Sequence, residues 1–462
     1  MHGRGRMEDL EGRAAAGGPI LPTLEDQRWT AGVTVVVVTL FFVFLVNSYC
    51  AEIFALATPA ISRDWGVEPK LLAGSMAIGW LGSGLGSMLG GVLGDKIGRH
   101  RTIFWVSVVA ALATLGSAFA TRPEEMLFGR ALAGLGLGAA VPPALALIAE
   151  CVPVRRRGFV ISIGMICGPM GIAASAAVAA LVLPAYGWKA FFVVSGGASI
   201  AVTLAFAVLG VESPRYLLRL AKGGARLTRS LRRLGVSLAA GAPEAARVPP
   251  DGAERASPAL ILSRAFRGTT LRIWICFAAM FISVSAMLSW VPTAFAAVSF
   301  TPAAISGALS AWSFGGVAGT LIAGWCMSRW GSRRASQGFA LASALAVAVF
   351  IALPPSPRAG QLLLVAPMAV SGLALSALIT GLYGYVTEAY PANIRSTGVG
   401  LAAMVGRSSA VVGSFGGVYV LSGFGLRGFF AGIALLALLP LLLLWASRRA
   451  RPAPPAAVEQ PA

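Results

Sequence analysis

The chain has 462 residues, of which 57% are apolar, 12% are charged and 56 are glycine. A soluble domain carries about 25% charged residues and a disordered chain is polar, so this composition excludes both classes. The formal net charge of +19 would suit a nucleic-acid-binding protein, but long apolar stretches separate the charges and indicate a polytopic membrane protein instead.

Twelve apolar stretches are long enough to cross a hydrocarbon layer of ~30 Å, which needs about 20 helical residues. Lipid offers no hydrogen-bond partner to the edge of an open sheet, so we interpret each stretch as a helix and number them spans 1 to 12. The sequence therefore predicts an all-α membrane protein. The predicted spans cover residues 31–61, 71–94, 102–121, 126–150, 159–183, 188–211, 269–297, 302–327, 336–354, 361–388, 398–422 and 427–447.

Basic residues are distributed unequally between the two sides of these spans. Of the 37 Lys and Arg residues, 28 lie in tails and loops on the side of the N-terminus, 6 lie in loops on the other side, and 3 lie within or at the edge of spans. We call these the basic side and the opposite side. Cytoplasmic loops carry such an excess, so we predict that both termini lie in the cytoplasm.

A long polar segment divides the spans into two groups of six. In this segment, residues 214–234 place six leucines among seven basic residues, a pattern typical of an amphipathic helix on anionic headgroups. The predicted organisation is a cytoplasmic tail at 1–28, a first bundle at 29–211, a central cytoplasmic loop at 212–268, a second bundle at 269–447 and a disordered tail at 448–462.

Three motifs of the first half recur in the second half at nearly one offset. Self-similarity of this kind indicates duplication of a six-span unit. The matched pairs are 91–101 with 324–334, offset by 233 residues, and 150–153 with 388–391 and 187–189 with 425–427, both offset by 238.

The stretch 91–101, which reads G-V-L-G-D-K-I-G-R-H-R, resembles the loop signature of the major facilitator superfamily. Within that superfamily, the chain resembles the aromatic acid:proton symporters over all twelve spans. The resemblance implies the major facilitator fold, a bacterial inner-membrane location and proton-coupled import of an aromatic or other organic carboxylate by alternating access. The other motifs that carry it are 130–138, 212–217, 290–293, 390–400 and the Gly-Arg pair at 406–407.

One departure from that family concerns proton coupling. The family usually has D-G-x-D in span 1, where this chain has Asn47-Ser48-Tyr49-Cys50. A charge inside the membrane is a functional candidate by default. Glu52 and Arg130 lie at similar depths, about 9 Å and about 12 Å from the middle of their spans toward the opposite side. They could pair, either as the proton-coupling group or as a structural ion pair, and a position at the lipid edge is the third alternative.

The predicted substrate site centres on Arg407, about 5 Å from the middle of span 11. Its planar guanidinium can hold a carboxylate by two parallel hydrogen bonds, with bonds to backbone carbonyls as the alternative. Trp290, Tyr383 and Tyr49 could stack on an aromatic ring, with helix packing as the alternative for each. Asn47, next to Tyr49 on span 1, belongs to the same predicted set.

Charged residues at the basic ends of spans predict a gate. Gly94 and Gly98 allow a tight turn after span 2, where Asp95 would accept hydrogen bonds from a helix N-terminus. Ser328 replaces this acid in the second repeat, so we expect that half to hold its gate more weakly. The predicted gate consists of Asp95, Gly98, Arg99, Glu150, Arg156, Glu388 and Arg395.

Catalytic and cofactor chemistry find no support in the sequence. The chain has two histidines, His2 and His100, and no Walker lysine or catalytic cluster. We expect no enzymatic activity, no metal, no cofactor and no nucleic-acid partner, and a monomer that contacts an organic anion, protons and anionic lipid. A drug or metabolite exporter, a uniporter and a non-transporting receptor are the alternatives.

Overall fold

A computed structural model describes residues 29–219, 224–235, 261–264, 266–352, 362–390 and 395–446. Within this part of the chain, every regular element is a helix, as the sequence predicts. The tails predicted at 1–28 and 448–462 and much of the central loop lie outside the described residues.

The described residues contain nine helices that are long and apolar enough to cross a membrane. Two of them hold two spans each, and the helix Arg99–Ser117 supplies span 3, so the prediction of twelve spans is confirmed. Spans 1 to 4 are Ala31–Trp65, Ala73–Ile97, Arg99–Ser117 and Pro123–Cys151; spans 5 and 6 are the two arms of Val154–Leu209; spans 7 to 10 are Arg267–Ala297, Pro302–Trp330, Ser332–Ala352 and Leu362–Ala389; spans 11 and 12 are the two arms of Arg395–Ala446.

The two long helices bend at Gly187 and Gly425. Gly187 has φ 75° and ψ −179°, and Gly425 has φ 67° and ψ −170°. This region of the backbone map is almost restricted to glycine, because a Cβ atom would clash with the neighbouring carbonyl. The chain therefore turns between spans 5 and 6, and between spans 11 and 12, at a single glycine in each repeat.

Short-range signals set several helix ends. Thr30 and Thr301 cap the N-termini of spans 1 and 8 by accepting hydrogen bonds from Val33 N and Ala304 N. Proline stands at the start of span 8, where its missing N–H costs nothing. Gly66 ends span 1 in the left-handed conformation with φ 64°.

Small residues bring the spans of each half into backbone contact. A Cβ atom on Gly86 of span 2 would lie 2.1 Å from Leu135 O of span 4, and one on Gly319 of span 8 would lie 2.1 Å from Leu373 O of span 10. Small residues at a helix interface allow this approach in membranes. Spans 2 and 4 and spans 8 and 10 therefore pack in equivalent ways.

The two halves meet along spans 2 and 11, 1 and 7, and the helix of spans 5 and 6 against span 8. The larger buried apolar cluster contains residues from both halves, such as Ile61 and Phe295 near the opposite side. A second cluster contains residues of the first half only, near its basic side, such as Val33, Ile148 and Leu234. The apolar contact between the halves therefore lies away from the basic end of the first half.

The segment after span 6 forms two short helices, Pro214–Arg219 and Gly224–Arg233. Its leucines 217, 227, 231 and 234 are buried, and Arg233 Nη1 donates to Gly210 O at 3.2 Å. The expectation that these leucines rest on lipid is wrong, because they pack against the protein. Arg226, Arg229 and Arg232 are exposed, while Leu220 lies outside the described residues.

Candidate functional site

Arg407 lies at the boundary between the two halves and is half-buried. Its Nη1 donates to Ser87 Oγ on span 2, and Ser87 Oγ donates to Gly138 O on span 4 at 3.1 Å. One hydrogen-bonded chain thus joins spans 11, 2 and 4. The guanidinium therefore binds a side-chain hydroxyl of the other half, whereas the alternative prediction had it bound to backbone carbonyls.

Three aromatic rings of spans 7 and 10 pack together near the Gly406–Arg407 step of span 11. Phe281 of span 7 packs against Gly406, where a Cβ atom would lie 2.5 Å from Phe281 Cδ2. Tyr383 of span 10 lies within electrostatic range of Arg407, and its ring meets Phe277 edge-on with centroids 5.0 Å apart. The ring centroids of Phe277 and Phe281 are 6.4 Å apart. We call Arg407, Phe277, Phe281 and Tyr383 the arginine–aromatic cluster.

Sequence reasoning identified Arg407 and Tyr383 but missed both phenylalanines and Ser87. Phe277 and Phe281 are four residues apart, so they share one face of span 7, and this spacing is a signal that the sequence contains. What the spacing does not reveal is that this face meets Gly406 of span 11. Chemically, the cluster offers one cation and flat apolar surfaces, two of which, Phe281 and Tyr383, are partly exposed.

The structure does not bring Trp290 to this cluster. Trp290 is fully buried, and its Nε1 donates to Ser414 O at 2.7 Å. A Cβ atom on Gly417 would lie 2.7 Å from Trp290 Cδ1, so the indole fills the space between spans 7 and 11. The geometry favours the helix-packing alternative for this residue.

Tyr49 and Asn47 face other spans of the first half. The Tyr49 hydroxyl shares a 3.0 Å hydrogen bond with Ser195 Oγ of span 6, and Asn47 Nδ2 donates to Leu137 O of span 4 at 2.7 Å. Asn47 also borders a cavity of about 20 Å³, which has room for one water molecule. Its other lining residues are Val43, Val46, Ser107, Ala110, Leu137, Ser199, Val202 and Thr203.

Glu52 and Arg130 are both buried and are neighbours, but they do not form a direct ion pair. Arg130 donates to two carbonyls of span 1, from Nη1 to Cys50 O at 3.4 Å and from Nη2 to Ala51 O at 3.1 Å. Its guanidinium also lies 5.5 Å from the ring centroid of Phe54. No nitrogen–oxygen distance of 4.0 Å or less joins it to Glu52. The predicted contact is therefore wrong for this conformation, because backbone carbonyls occupy the arginine.

At the basic side of the first half, Arg99 joins two acids. Its Nη2 lies 2.9 Å from Asp95 Oδ1 and 3.2 Å from Glu150 Oε1, and Ser213 donates to the other oxygen of Glu150. Asp95 thus binds an arginine side chain in place of the predicted helix N-terminus. Gly98 makes the turn with φ 104°, whereas Gly94 stays inside the helix of span 2.

The second half repeats this arrangement without the arginine. Ser332, at the position equivalent to Arg99, donates to Glu388 Oε2. Arg156, predicted near Glu150, instead lies 5.6 Å from the ring centroid of Trp29, and the side chain of Arg395 lies outside the described part. The structure therefore brings together Asp95, Gly98, Arg99 and Glu150, and keeps Glu388 in a separate contact.

Comparisons with known proteins agree with this architecture. The sequence matches the family described as Major Facilitator Superfamily over residues 40–365 and 295–462. The chain belongs to the major facilitator superfamily. It is a multi-pass membrane transporter and not an enzyme, and the predicted major facilitator fold is confirmed.

Two curated relatives in this superfamily come from Pseudomonas putida. A gallate transporter is 27% identical over 417 residues, which cover 90% of this chain and 92% of the relative. The 4-hydroxybenzoate transporter PcaK is 30% identical over 395 residues, which cover 84% of this chain and 86% of the relative. The resemblance to aromatic acid transporters of the major facilitator superfamily is thereby confirmed.

Among solved structures, the xylose transporter XylE from E. coli in a partially occluded inward open conformation superposes with a TM-score of 0.71. Its sequence is 15% identical, and the match covers 90% of this chain and 98% of XylE. This likeness supports the major facilitator fold alone.

Proposed function

We propose that this protein imports an aromatic or other organic carboxylate together with protons, by alternating access across a bacterial inner membrane. The observation that carries the proposal is the arginine–aromatic cluster, in which Arg407 lies at the boundary between the halves, Phe281 packs against the adjoining Gly406, and Tyr383 meets Phe277 edge-on. A transporter of the superfamily binds its substrate at such a boundary near the bilayer midplane.

The cluster offers one binding group for the carboxylate of an aromatic acid and others for its ring. A guanidinium binds a carboxylate through two parallel charge-assisted hydrogen bonds, and aromatic rings bind a flat ring by offset stacking or edge contact. Gallate and 4-hydroxybenzoate, which the two relatives are named for, each carry a carboxylate on an aromatic ring. In this proposal Arg407 binds the carboxylate, and Phe281 and Tyr383 contact the ring. Asn47 and Tyr49 support the site from span 1.

Glu52 is the proposed proton-coupling residue. It is 5% exposed on span 1 and directly follows the two residues whose carbonyls Arg130 binds. A carboxyl group in such a place is far easier to keep neutral than charged, so it suits reversible protonation during a transport cycle. Arg130, which binds the carbonyls of the two residues that precede Glu52, is the proposed electrostatic partner when Glu52 is charged.

The distribution of apolar contacts supports a conformation that is closed on the opposite side. The cluster that joins the halves includes Ile61 and Phe295, whereas the basic end of the first half has its own core. With the basic side in the cytoplasm, substrate would leave toward the cytoplasm from this conformation. Asp95, Arg99 and Glu150, together with Gly98, Arg156, Glu388 and Arg395, are the proposed gate on that side.

Uptake into proteoliposomes tests the proposal. Radiolabelled 4-hydroxybenzoate is added outside, with the external medium more acidic than the interior, and xylose and nicotinate serve as comparison solutes. We expect accumulation above the external concentration that disappears when a protonophore collapses the gradient. Liposomes without protein provide the background, which matters because protonated aromatic acids cross lipid unaided. Uptake no faster than this background would contradict the proposal.

Uniport or export is a second candidate, because Asn47 and Cys50 stand where the related symporters have acids. A uniporter would equilibrate 4-hydroxybenzoate faster than the lipid background without concentrating it, and an exporter would concentrate it inside vesicles of the opposite orientation. A receptor would bind the acid and change conformation without any transport.

A further inference from the structure

Ser87 makes the hydrogen bond that ties Arg407 to the first half. Its hydroxyl donates to Gly138 O at 3.1 Å and accepts from Arg407 Nη1. A serine hydroxyl has one hydrogen and two lone pairs, so the bond to Gly138 leaves only lone pairs for the arginine. Span 2 therefore presents an oriented oxygen acceptor to the guanidinium.

This acceptor is neutral, and that decides what can replace it. A guanidinium within the membrane is costly without acceptors, so Ser87 stabilises Arg407 while no ligand is bound. A carboxylate carries a full negative charge and can form two parallel hydrogen bonds with a guanidinium, whereas Ser87 offers one bond to an uncharged oxygen. A carboxylate that reaches the arginine–aromatic cluster would therefore displace the Ser87 hydroxyl.

We propose that Ser87 is a positioning residue that holds Arg407 in the substrate-free protein and releases it to the substrate carboxylate. The inference rests on the proposed function, because it takes the substrate to be an organic acid. The Arg407–Ser87 bond joins span 11 to span 2. When the substrate carboxylate takes the place of Ser87, the two halves lose one hydrogen bond between them.

The neighbouring contact between these spans does not depend on the arginine. A Cβ atom on Gly84, one turn toward the opposite side, would lie 3.5 Å from Ser408 Oγ. Spans 2 and 11 thus lie close together at Gly84 without a bond to the arginine. Substrate binding would free the basic part of this interface while the part nearer the opposite side acts as the pivot.

The test compares equilibrium binding of 4-hydroxybenzoate to purified wild-type protein and Ser87→Ala by calorimetry. Removing the hydroxyl removes the competitor for Arg407, so S87A should bind about 10-fold more tightly, equivalent to ~1.4 kcal/mol for one hydrogen bond to a charged group. A purely structural role would leave the affinity unchanged or lower it. Ser87→Thr keeps a hydroxyl and should restore wild-type affinity.

Two further variants keep the test decisive. Ser83→Ala, one turn away on span 2, removes a hydroxyl that does not bond to Arg407, and its affinity should equal that of the wild type. Ser87→Cys replaces the hydroxyl with a weak acceptor and should tighten binding if S87A does not fold. Unchanged or weaker binding in the Ser87 variants, with normal wild-type binding, would overturn the inference and leave the proposed function intact. Absence of aromatic acid binding by wild-type protein would overturn both.

Discussion

Arg99 and Ser332 occupy equivalent positions of the two repeats, 233 residues apart, and each contacts the glutamate at the basic end of a neighbouring span. Arg99 binds Glu150 and also Asp95, whereas Ser332 donates one hydrogen bond to Glu388. The first half therefore has a network of charges where the second half has a single hydroxyl contact. The two glutamates should differ in their contribution to stability.

Glu150→Gln should destabilise the protein more than Glu388→Gln. The side chains of Arg99 and Glu150 are 6% and 12% exposed, so the change leaves a buried guanidinium with a weaker acceptor and costs about 1–3 kcal/mol. Glu388 is exposed and its glutamine variant still accepts from Ser332, so we expect a loss within about 0.5 kcal/mol. Thermal unfolding in detergent measures both, and equal losses would contradict the unequal roles of the two contacts.

Gly187→Ala should destabilise the protein through backbone strain alone. Nothing lies within 4 Å of a Cβ atom at Gly187, but its φ of 75° is unfavourable for alanine and costs about 1–3 kcal/mol. Gly197→Ala is the matched control, because Gly197 is inside the helix of span 6 and is equally uncrowded. Alanine there should leave the melting temperature unchanged or raise it. A fall of the same size in both variants would assign the effect to crowding by lipid or detergent.

Arg407→Lys should raise the KM for 4-hydroxybenzoate uptake by about 10- to 100-fold, because lysine lacks the planar fork that binds both carboxylate oxygens. Arg272→Lys is the control, since Arg272 makes only local hydrogen bonds to Gly268 O and Thr269 Oγ1. Initial uptake rates over a range of concentrations separate KM from the maximal rate. A wild-type KM in R407K would remove this arginine from the binding site.

Glu52→Gln should abolish accumulation driven by the proton gradient and preserve counterflow exchange of 4-hydroxybenzoate. Glutamine retains the size of the side chain but cannot release a proton, so substrate would still cross while coupling is lost. Glu68→Gln, in the short connection on the opposite side where Glu68 pairs with Lys70, should affect neither measurement. Loss of both activities in E52Q alone would indicate that Glu52 has a structural role.

The spans were predictable because bilayer thickness imposes a minimum apolar length. The matched motifs at 187–189 and 425–427 also indicated where both bends lie. The sequence pattern of Gly187 and Gly425 did not reveal that one residue suffices for each turn. An amphipathic segment carries no information on whether its leucines meet lipid or protein, which is why the placement of Leu217 and Leu227 was wrong. Local patterns determine the elements, and contacts between distant elements determine how their faces are used.

The candidate site likewise contains residues that the sequence could identify and residues that it could not. Arg407 and Tyr383 could be identified because polar atoms are rare inside a membrane, so residue type alone marks them. Ser87 and Phe281 are ordinary residues of apolar spans, and only the meeting of spans 2, 7 and 11 brings them to the arginine. Trp290 shows the converse error, because a large aromatic residue that looks suited to a ligand instead donates its N–H to Ser414 O.

The single-residue turns at Gly187 and Gly425 also limit how much exposed chain the protein offers to reagents added on the opposite side. In the described part of the chain, that surface consists of helix ends and short connections, such as the turn at Gly66 and the four residues Pro69–Leu72. Proteases cut exposed, flexible loops, which helical hairpins of this kind do not offer. In sealed vesicles, trypsin added on that side should leave these connections uncut, so orientation is better mapped with small impermeant reagents for Lys70 than with proteolysis or inserted epitopes.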